Sequence, residues 1–516
     1  MAGGSCRPPV EQREVVVVGS GFGGLAALIR LREQGHDVLA IEQADAIGGT
    51  WRDNSYPGAG CDVPSALYSY SFAPNPDWSA RYAGQPEILD YLRRTADRHA
   101  ATRSIRFGTR LLRGDWDEHT RRWRLETSTG PISARWLVAA GGTLHEPAWP
   151  DLPGLDTFRG AVFHSSRWDH GRDLRGRRVA VVGSGASALQ FVPRIAPQVR
   201  RLVLLQRSAQ WVLPRFDRSV TRVERRLYRR FPTAQRAVRL GVYLAAEAVA
   251  LGVRHRWLRP PLTWLARHNL RRSVADPALR ARLLPAEDIG CRRLLRSNTW
   301  YPTLVRPNVA VAGDVREVRP GSVVDGDGHE HPVDTLILAT GFHAAEPPVF
   351  RLLHGADGTS LAERFAATGA RAHLGTTVAG TPNLFLLAGP NSNVQTSSVT
   401  VLEAQVDHVA AALAAARDRG ADRVEVRPEV ARDGEHEVRR RLVDTVWATG
   451  CRAWYLDRRG RNTTNWPGTT TELRRRLRRF DVASYLYGRG AVEPTGLARC
   501  STVVTNGDVV ARRSAP

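Results

Sequence analysis

The chain has 516 residues, 42% apolar and 24% charged, with a formal net charge of +23. That length implies about two to four domains, and the ordinary composition allows a large core without disulfide or metal staples. All 74 basic residues are arginine; they create a field that attracts anionic cofactors, but no zinc-finger spacing or RNA-binding aromatic signature accompanies them, so no nucleic-acid partner and no metal site is expected. The first residues, MAGGSCRPPVEQRE, have no apolar run and do not read as a signal peptide. Cys6, Cys61, Cys291, Cys451 and Cys500 are odd in number and form no CxxC pair. They predict a reducing, cytoplasmic compartment, no disulfide framework and no dithiol redox centre.

Val15 to Val18 form a β-branched run suited to a strand buried on both faces. Gly19, Gly21 and Gly24 follow, then the helical pattern LAALIRLREQG and a second apolar run, VLAIE, ending at Glu42. This is a βαβ unit with a dinucleotide fingerprint. The first glycine permits the tight turn, the second lets a pyrophosphate approach, and the third lets helix and strand pack closely. The phosphates belong at the helix N-terminus, and Glu42 is placed to bind ribose hydroxyls. A second unit spans Arg178 to Gln206, with Gly183, Gly185, Ser187 and Ala188 in the turn and helix start. Its second strand runs out not into an acid but into Arg207 and Ser208. A guanidinium there pairs with a 2′-phosphate, so the second dinucleotide reads as NADP.

Residues from about Thr221 to Arg272 read as arginine-rich helices interrupted at Pro260 and Pro261. Within them, LGVYLAAEAVALGV from Leu240 carries Glu247 and is too short to cross a bilayer. Its arginine-rich flanks also suit a stretch that grazes a membrane surface, but it reads first as a packed helix, with no stable membrane insertion. Further strands are predicted in VDTLILATGF (Val333 to Phe342) and NLFLLAGPN (Asn383 to Asn391), and a helix over Val401 to Arg417. The tail after about Glu493 lacks periodicity.

Three stretches make a family resemblance specific. GGTWRDNSYPGAGCD (Gly48 to Asp62), the Phe158, Gly160, His164, Trp168, Asp169 pattern and ATGF (Ala339 to Phe342) together resemble the motif set of type I Baeyer–Villiger monooxygenases. The resemblance runs from about Val15 to Tyr487, and WYLDRRGRNTTNWPG is similar to the 4-hydroxyacetophenone monooxygenase-like branch. It implies an α/β fold with two Rossmann-like domains, for FAD and NADP, and a helical insertion. The expected segments are 10–145 (FAD), 146–218 (NADP), 219–290 (insertion), 291–342 (NADP) and 343–516 (FAD). The implied reaction uses NADPH and O2 to insert one oxygen atom beside a ketone, giving an ester or lactone by way of a C4a-peroxyflavin. The implied partners are therefore a small-molecule ketone and O2.

The resemblance also implies roles. Gly49, Thr50, Trp51 and Tyr68 would line the FAD site, with Asp62 beside the flavin ring. In GCRRLLRSNTWYP, Arg293 matches the catalytic arginine and Arg292 stands where a lysine commonly meets the 2′-phosphate. Thr340 and Gly341 belong to the cofactor set, and Trp454 matches a tryptophan on the nicotinamide-side ribose. His164 and Trp168 would couple domain positions rather than perform chemistry. After GPN the chain has SNVQTSS where the branch carries a TGLGHNS-like stretch. Two other readings fit the same fingerprints: oxygenation of sulfur or nitrogen, and an NADPH-dependent flavoprotein reductase, against which the missing CxxC counts.

Overall fold

The computed structural model describes residues 10–451 and 453–489. Cys6, Cys500 and the predicted aperiodic tail lie outside these residues. The first sheet is built from β1 (Glu11–Val18), β2 (Val38–Ile41), β3 (Ile105–Arg106), β4 (Leu111–Asp117), β5 (Arg122–Thr127) and β6 (Gly130–Ala139). The second contains β7 (Ala161–His164), β8 (Arg178–Val182), β9 (Arg201–Leu205), β10 (Val309–Ala312) and β11 (Thr335–Leu338) in the order β10-β9-β8-β11-β7. The chain then returns to the first sheet: β12 (Leu353–His354) pairs with β4, and β13 (Leu384–Leu386) pairs with β6. The first sheet runs β12-β4-β5-β6-β1-β2-β3, with β13 also against β6. Each sheet thus carries a parallel nucleotide-binding core, and the sequence visits the first, then the second, then the first again.

The two fingerprint strands show why these sheets form. Val15 and Val17 pack among one set of side chains with helix α1 (Phe22–Glu33), while Val16 faces the opposite set around Trp116 and Trp123. In β8, Val179 and Val181 face helix α2 (Ala186–Ile195), and Ala180 and Val182 face the other layer. Alternation to two apolar layers is what a doubly covered parallel strand requires. The third glycine of the first fingerprint has a steric cause. A Cβ at Gly24 would lie 1.9 Å from the Gly19 carbonyl oxygen, so any other residue would push the helix off the strand.

Helices α3 (Arg222–Arg230), α4 (Pro232–Arg254) and α5 (Arg259–Ser273) make up most of the insertion. Thr221 and Glu224 make a capping box that starts α3. The helical region is interrupted between Arg254 and Arg259, and Pro260 and Pro261 stand in the first turn of α5, where a missing N–H costs nothing. Glu247 points inward from α4 and accepts a hydrogen bond from the Thr470 N–H at 3.0 Å. The long helix α6 (Ser398–Asp418) crosses behind the first sheet. Among the described residues it alone is long and apolar enough to cross a membrane, and most of it is buried in the protein.

One expectation is overturned. Cys291 and Cys451 are joined by a disulfide, with Cα atoms 5.3 Å apart and 160 residues between them in sequence. Counting cysteines and looking for CxxC is blind to a pair that only tertiary folding brings together. Cys61 is buried and free.

Candidate active site

Both fingerprints end in open glycine cradles. Gly19 and Gly183 hold positive φ angles of 100° and 102°, the tight turn each fingerprint needs. Gly21 and Gly185 occupy the cap positions of α1 and α2, and no side chain caps either helix start among the described residues. A Cβ at Gly185 would meet nothing within 4 Å, and one at Gly21 would come no nearer than 3.7 Å to Gly49. Uncapped N–H groups beside empty glycine surface suit a pyrophosphate. Gly49, with φ of 51°, starts the short turn of helix that carries Thr50 and Trp51.

Glu42 follows β2 and is buried. One carboxylate oxygen accepts the Ser20 N–H at 2.9 Å and the Ser20 hydroxyl at 2.8 Å; the other accepts Ala44 N–H at 3.0 Å and Arg52 Nη1 at 3.2 Å. The predicted ribose acceptor thus stands directly over the fingerprint turn. Ser20, which positions it, was not singled out from sequence. Trp51 Nε1 donates to the Tyr68 hydroxyl at 3.1 Å, and the two rings meet edge to face. Burial raises the Tyr68 phenol above its usual range, so the hydroxyl stays neutral.

At the second fingerprint, Arg207 is exposed and makes no ion pair among the described residues. Ser208 beside it accepts a hydrogen bond from Arg292 Nη1, while Arg292 also pairs with Glu287 at 2.9 Å. Ser208 and Arg292 are thus brought together, with Arg207 next to them in the chain, and Glu287 occupies part of the Arg292 charge. Thr340 donates to the Ala148 carbonyl at 2.6 Å, and Gly341 adopts φ of 84°, so ATGF is tied to the crossover from the first sheet.

The two units meet at Asp62 and Arg293. Arg293 Nε donates to Asp62 Oδ2 at 2.8 Å and Nη2 to Oδ1 at 2.7 Å. Burial pushes the Asp62 carboxyl up, but the charge and hydrogen bonds of Arg293, with Arg296 behind, outweigh it and hold the carboxyl below its usual range. The Asp62 charge in turn outweighs desolvation and raises Arg293 further above its already high value. Nη1 of Arg293 makes no hydrogen bond among the described residues. A cavity of about 50 Å³ opens here, lined by Asp62, Arg293, Arg296, Gln395 and Thr396 and by Ala246, Val249 and Val253 of α4. The divergent loop after GPN thus faces the ion pair. Gln395 and Arg296 were missed in the sequence, although Arg296 stands three places after Arg293.

A second tie crosses the same boundary. Gln190 on α2 accepts from the Tyr56 hydroxyl at 2.8 Å and donates to the Gly60 carbonyl at 2.8 Å, holding YPGAGCD against the second unit. His164 is buried, its Nδ1 accepting the Ser166 N–H, and burial lowers its pKa to about 4. Trp168 packs on Phe163 and Phe191. Trp454 is exposed and stands apart from these contacts, with its ring against Tyr455. Its segment is linked to the GCRR turn by Cys291–Cys451.

The flavin-binding monooxygenase-like family model matches residues 12–246. The chain is 44% identical over 504 residues to a Baeyer–Villiger monooxygenase of Streptomyces coelicolor, covering 96% of this chain and 97% of that protein. A solved structure of oxidized steroid monooxygenase bound to NADP is 32% identical, with a TM-score of 0.83 over 93% of this chain and 100% of that one. A structure of the OTEMO complex with FAD and NADP is 26% identical, also with a TM-score of 0.83, over 92% and 99%.

The depressed carboxyl sets a pH signature. A group whose folded pKa is lowered stabilises the protein above its unfolded value, about 3.9 for Asp, and loses that contribution as pH falls through the folded value. Asp62→Asn is expected to have a lower urea midpoint than the parent at pH about 7 and a smaller deficit at pH about 3. An equal deficit at both would show that the carboxylate charge contributes nothing to stability.

Proposed function

The chain belongs to the Baeyer–Villiger monooxygenases, and on that premise we propose how its own residues divide the work. The enzyme uses FAD, NADPH and O2 to insert one oxygen atom beside a ketone carbonyl, giving an ester or lactone. FAD, once reduced by NADPH, supplies the activation of O2. Residues 10–145 and the described residues from 343 onward form the FAD-binding domain, 146–218 and 291–342 the NADP-binding domain, and 219–290 the insertion. The return of β12 and β13 to the first sheet supports this division.

The cradle at Gly19, Gly21 and Gly24 holds the FAD pyrophosphate, with Gly49 and Thr50 beside it, and Glu42 accepts ribose hydroxyls in the place now held by Ser20 Oγ. Trp51 and Tyr68 wall the flavin side. Gly183, Gly185 and Ser187 cradle the NADP pyrophosphate, and Arg207, Ser208 and Arg292 take the 2′-phosphate. Thr340, Gly341 and Trp454 complete the cofactor set.

One observation carries the catalytic assignment: Arg293 is clamped by Asp62 through Nε and Nη2, its Nη1 makes no hydrogen bond among the described residues, and it lines a cavity with apolar walls from α4. Asp62 fixes the plane of the guanidinium and prevents it from swinging into solvent. The free Nη1 donates to oxygen that carries negative charge in the reaction, where a fixed, permanently charged donor is most effective. Ala246, Val249 and Val253 exclude water and favour an apolar substrate. The use of NADPH supports a location in the cytoplasm. Its thiol buffers reduce accessible disulfides, and both Cys291 and Cys451 are buried.

Arg293→Ala is expected to retain FAD, seen in its visible absorbance, but to lose ketone oxygenation at least ~100-fold; near-normal product formation contradicts the role. Arg207→Ala is expected to raise the Michaelis constant for NADPH about tenfold while leaving that for NADH nearly unchanged. Equal changes for both would show that Arg207 does not read the 2′-phosphate.

A further inference from the structure

Helix α4 has two apolar sides, and only one is covered. Its inner side lines the cavity and packs on the first unit. Its outer side carries Ala237, Leu240, Gly241, Leu244 and Ala248, all exposed, at the three- and four-residue spacing of a single helical stripe. Leu240 and Leu244 are 57% and 58% exposed. Arg239 turns inward and donates to the Ala66 and Ser69 carbonyls at 2.9 Å each, while Arg236, four residues before Leu240, is exposed at the start of the stripe. The sequence predicted a packed helix; the structure packs half of it.

The neighbouring elements continue the pattern. Helix α3 packs against α4 and presents Val223, Leu227 and Phe231 as an exposed apolar row, one residue out of phase with Arg222, Arg226 and Arg230, also exposed. On the other side, Trp257 and Trp264 are 74% and 65% exposed, the latter on α5. Exposed apolar patches on this scale mark interaction sites.

Charge decides the occupant. Helix α3 has five arginines and one glutamate in nine residues, and that glutamate, Glu224, is paired with Arg218. A second copy of the chain would have to pack this patch on itself, setting arginine row against arginine row. An anionic lipid surface instead pairs with the arginines and accepts the leucines, phenylalanine and tryptophans beneath its headgroups. We propose that α3, α4 and the Trp257–Trp264 segment form a docking face by which the enzyme lies on an anionic bilayer without spanning it. The same helix then has its outer side at the lipid boundary and its inner side on the reaction cavity, a short route for an apolar ketone dissolved in the membrane. The docking claim does not depend on the catalytic assignments.

The test is sedimentation of the FAD-loaded enzyme with vesicles of equal parts phosphatidylglycerol and phosphatidylcholine, beside vesicles of phosphatidylcholine alone. Binding is expected to the anionic vesicles and to weaken with added salt. Leu240→Glu with Leu244→Glu is expected to reduce partitioning at least ~10-fold, and Arg222→Gln, Arg226→Gln and Arg230→Gln together by roughly fivefold per arginine. Flavin absorbance of each variant, unchanged, shows that folding is intact. No binding by the parent enzyme, or binding untouched by both sets of substitutions, overturns the proposal. So does a dimer in sedimentation velocity that the two leucine substitutions disperse while the parent ignores vesicles.

Discussion

The bidentate pair between Asp62 and Arg293 is the contact on which the site depends. Asp62 ends the loop that follows the first fingerprint, and Arg293 lies in the segment that precedes β10 of the second sheet. Both side chains are only partly buried, and their two parallel hydrogen bonds fix one geometry. The pair also does something a pair of apolar residues cannot. It leaves Nη1 of Arg293 without a hydrogen bond among the described residues, in a side chain that lines the cavity. The Tyr56–Gln190–Gly60 bridge and the Cys291–Cys451 disulfide brace the segments on either side of it.

Much of this was legible in the sequence because local rules and tertiary rules coincide at nucleotide-binding turns. Gly24 can be read as a close-packing glycine from spacing alone, and the 1.9 Å clash a Cβ would suffer gives the cause. Glu42 falls at a strand end, where an acid has one obvious use. Other features depend on which distant segments meet. Cysteines 160 residues apart say nothing of each other until the GCRR turn and the segment before Trp454 are folded together. Ser20 looks like filler between two glycines, yet its N–H and hydroxyl both hold Glu42. Arg292 looked like a free phosphate ligand, but Glu287 already engages it.

The insertion exposes a different limit. Periodicity says that a helix forms, but a helix apolar on both sides does not announce which side the protein covers. In α4 the answer is the side with Tyr243 and Glu247, because Glu247 must reach the Thr470 N–H and Arg239 must reach two carbonyls. Polar residues scattered on an apolar helix set its rotation, and the leucines opposite are left outside. Part of the arginine excess acquires a use in the same region, since α3 beside those leucines carries five arginines in nine residues.

This chain transfers an oxygen atom from O2 to a ketone. The transfer is read from product mass after incubating the FAD-loaded enzyme with NADPH, oxygen-18 dioxygen and a panel of aryl, cyclic and terpenoid ketones. An ester or lactone carrying one labelled oxygen atom, formed only with NADPH present, is expected. Labelled sulfoxide from a thioether, with no ketone in the panel converted, would contradict it.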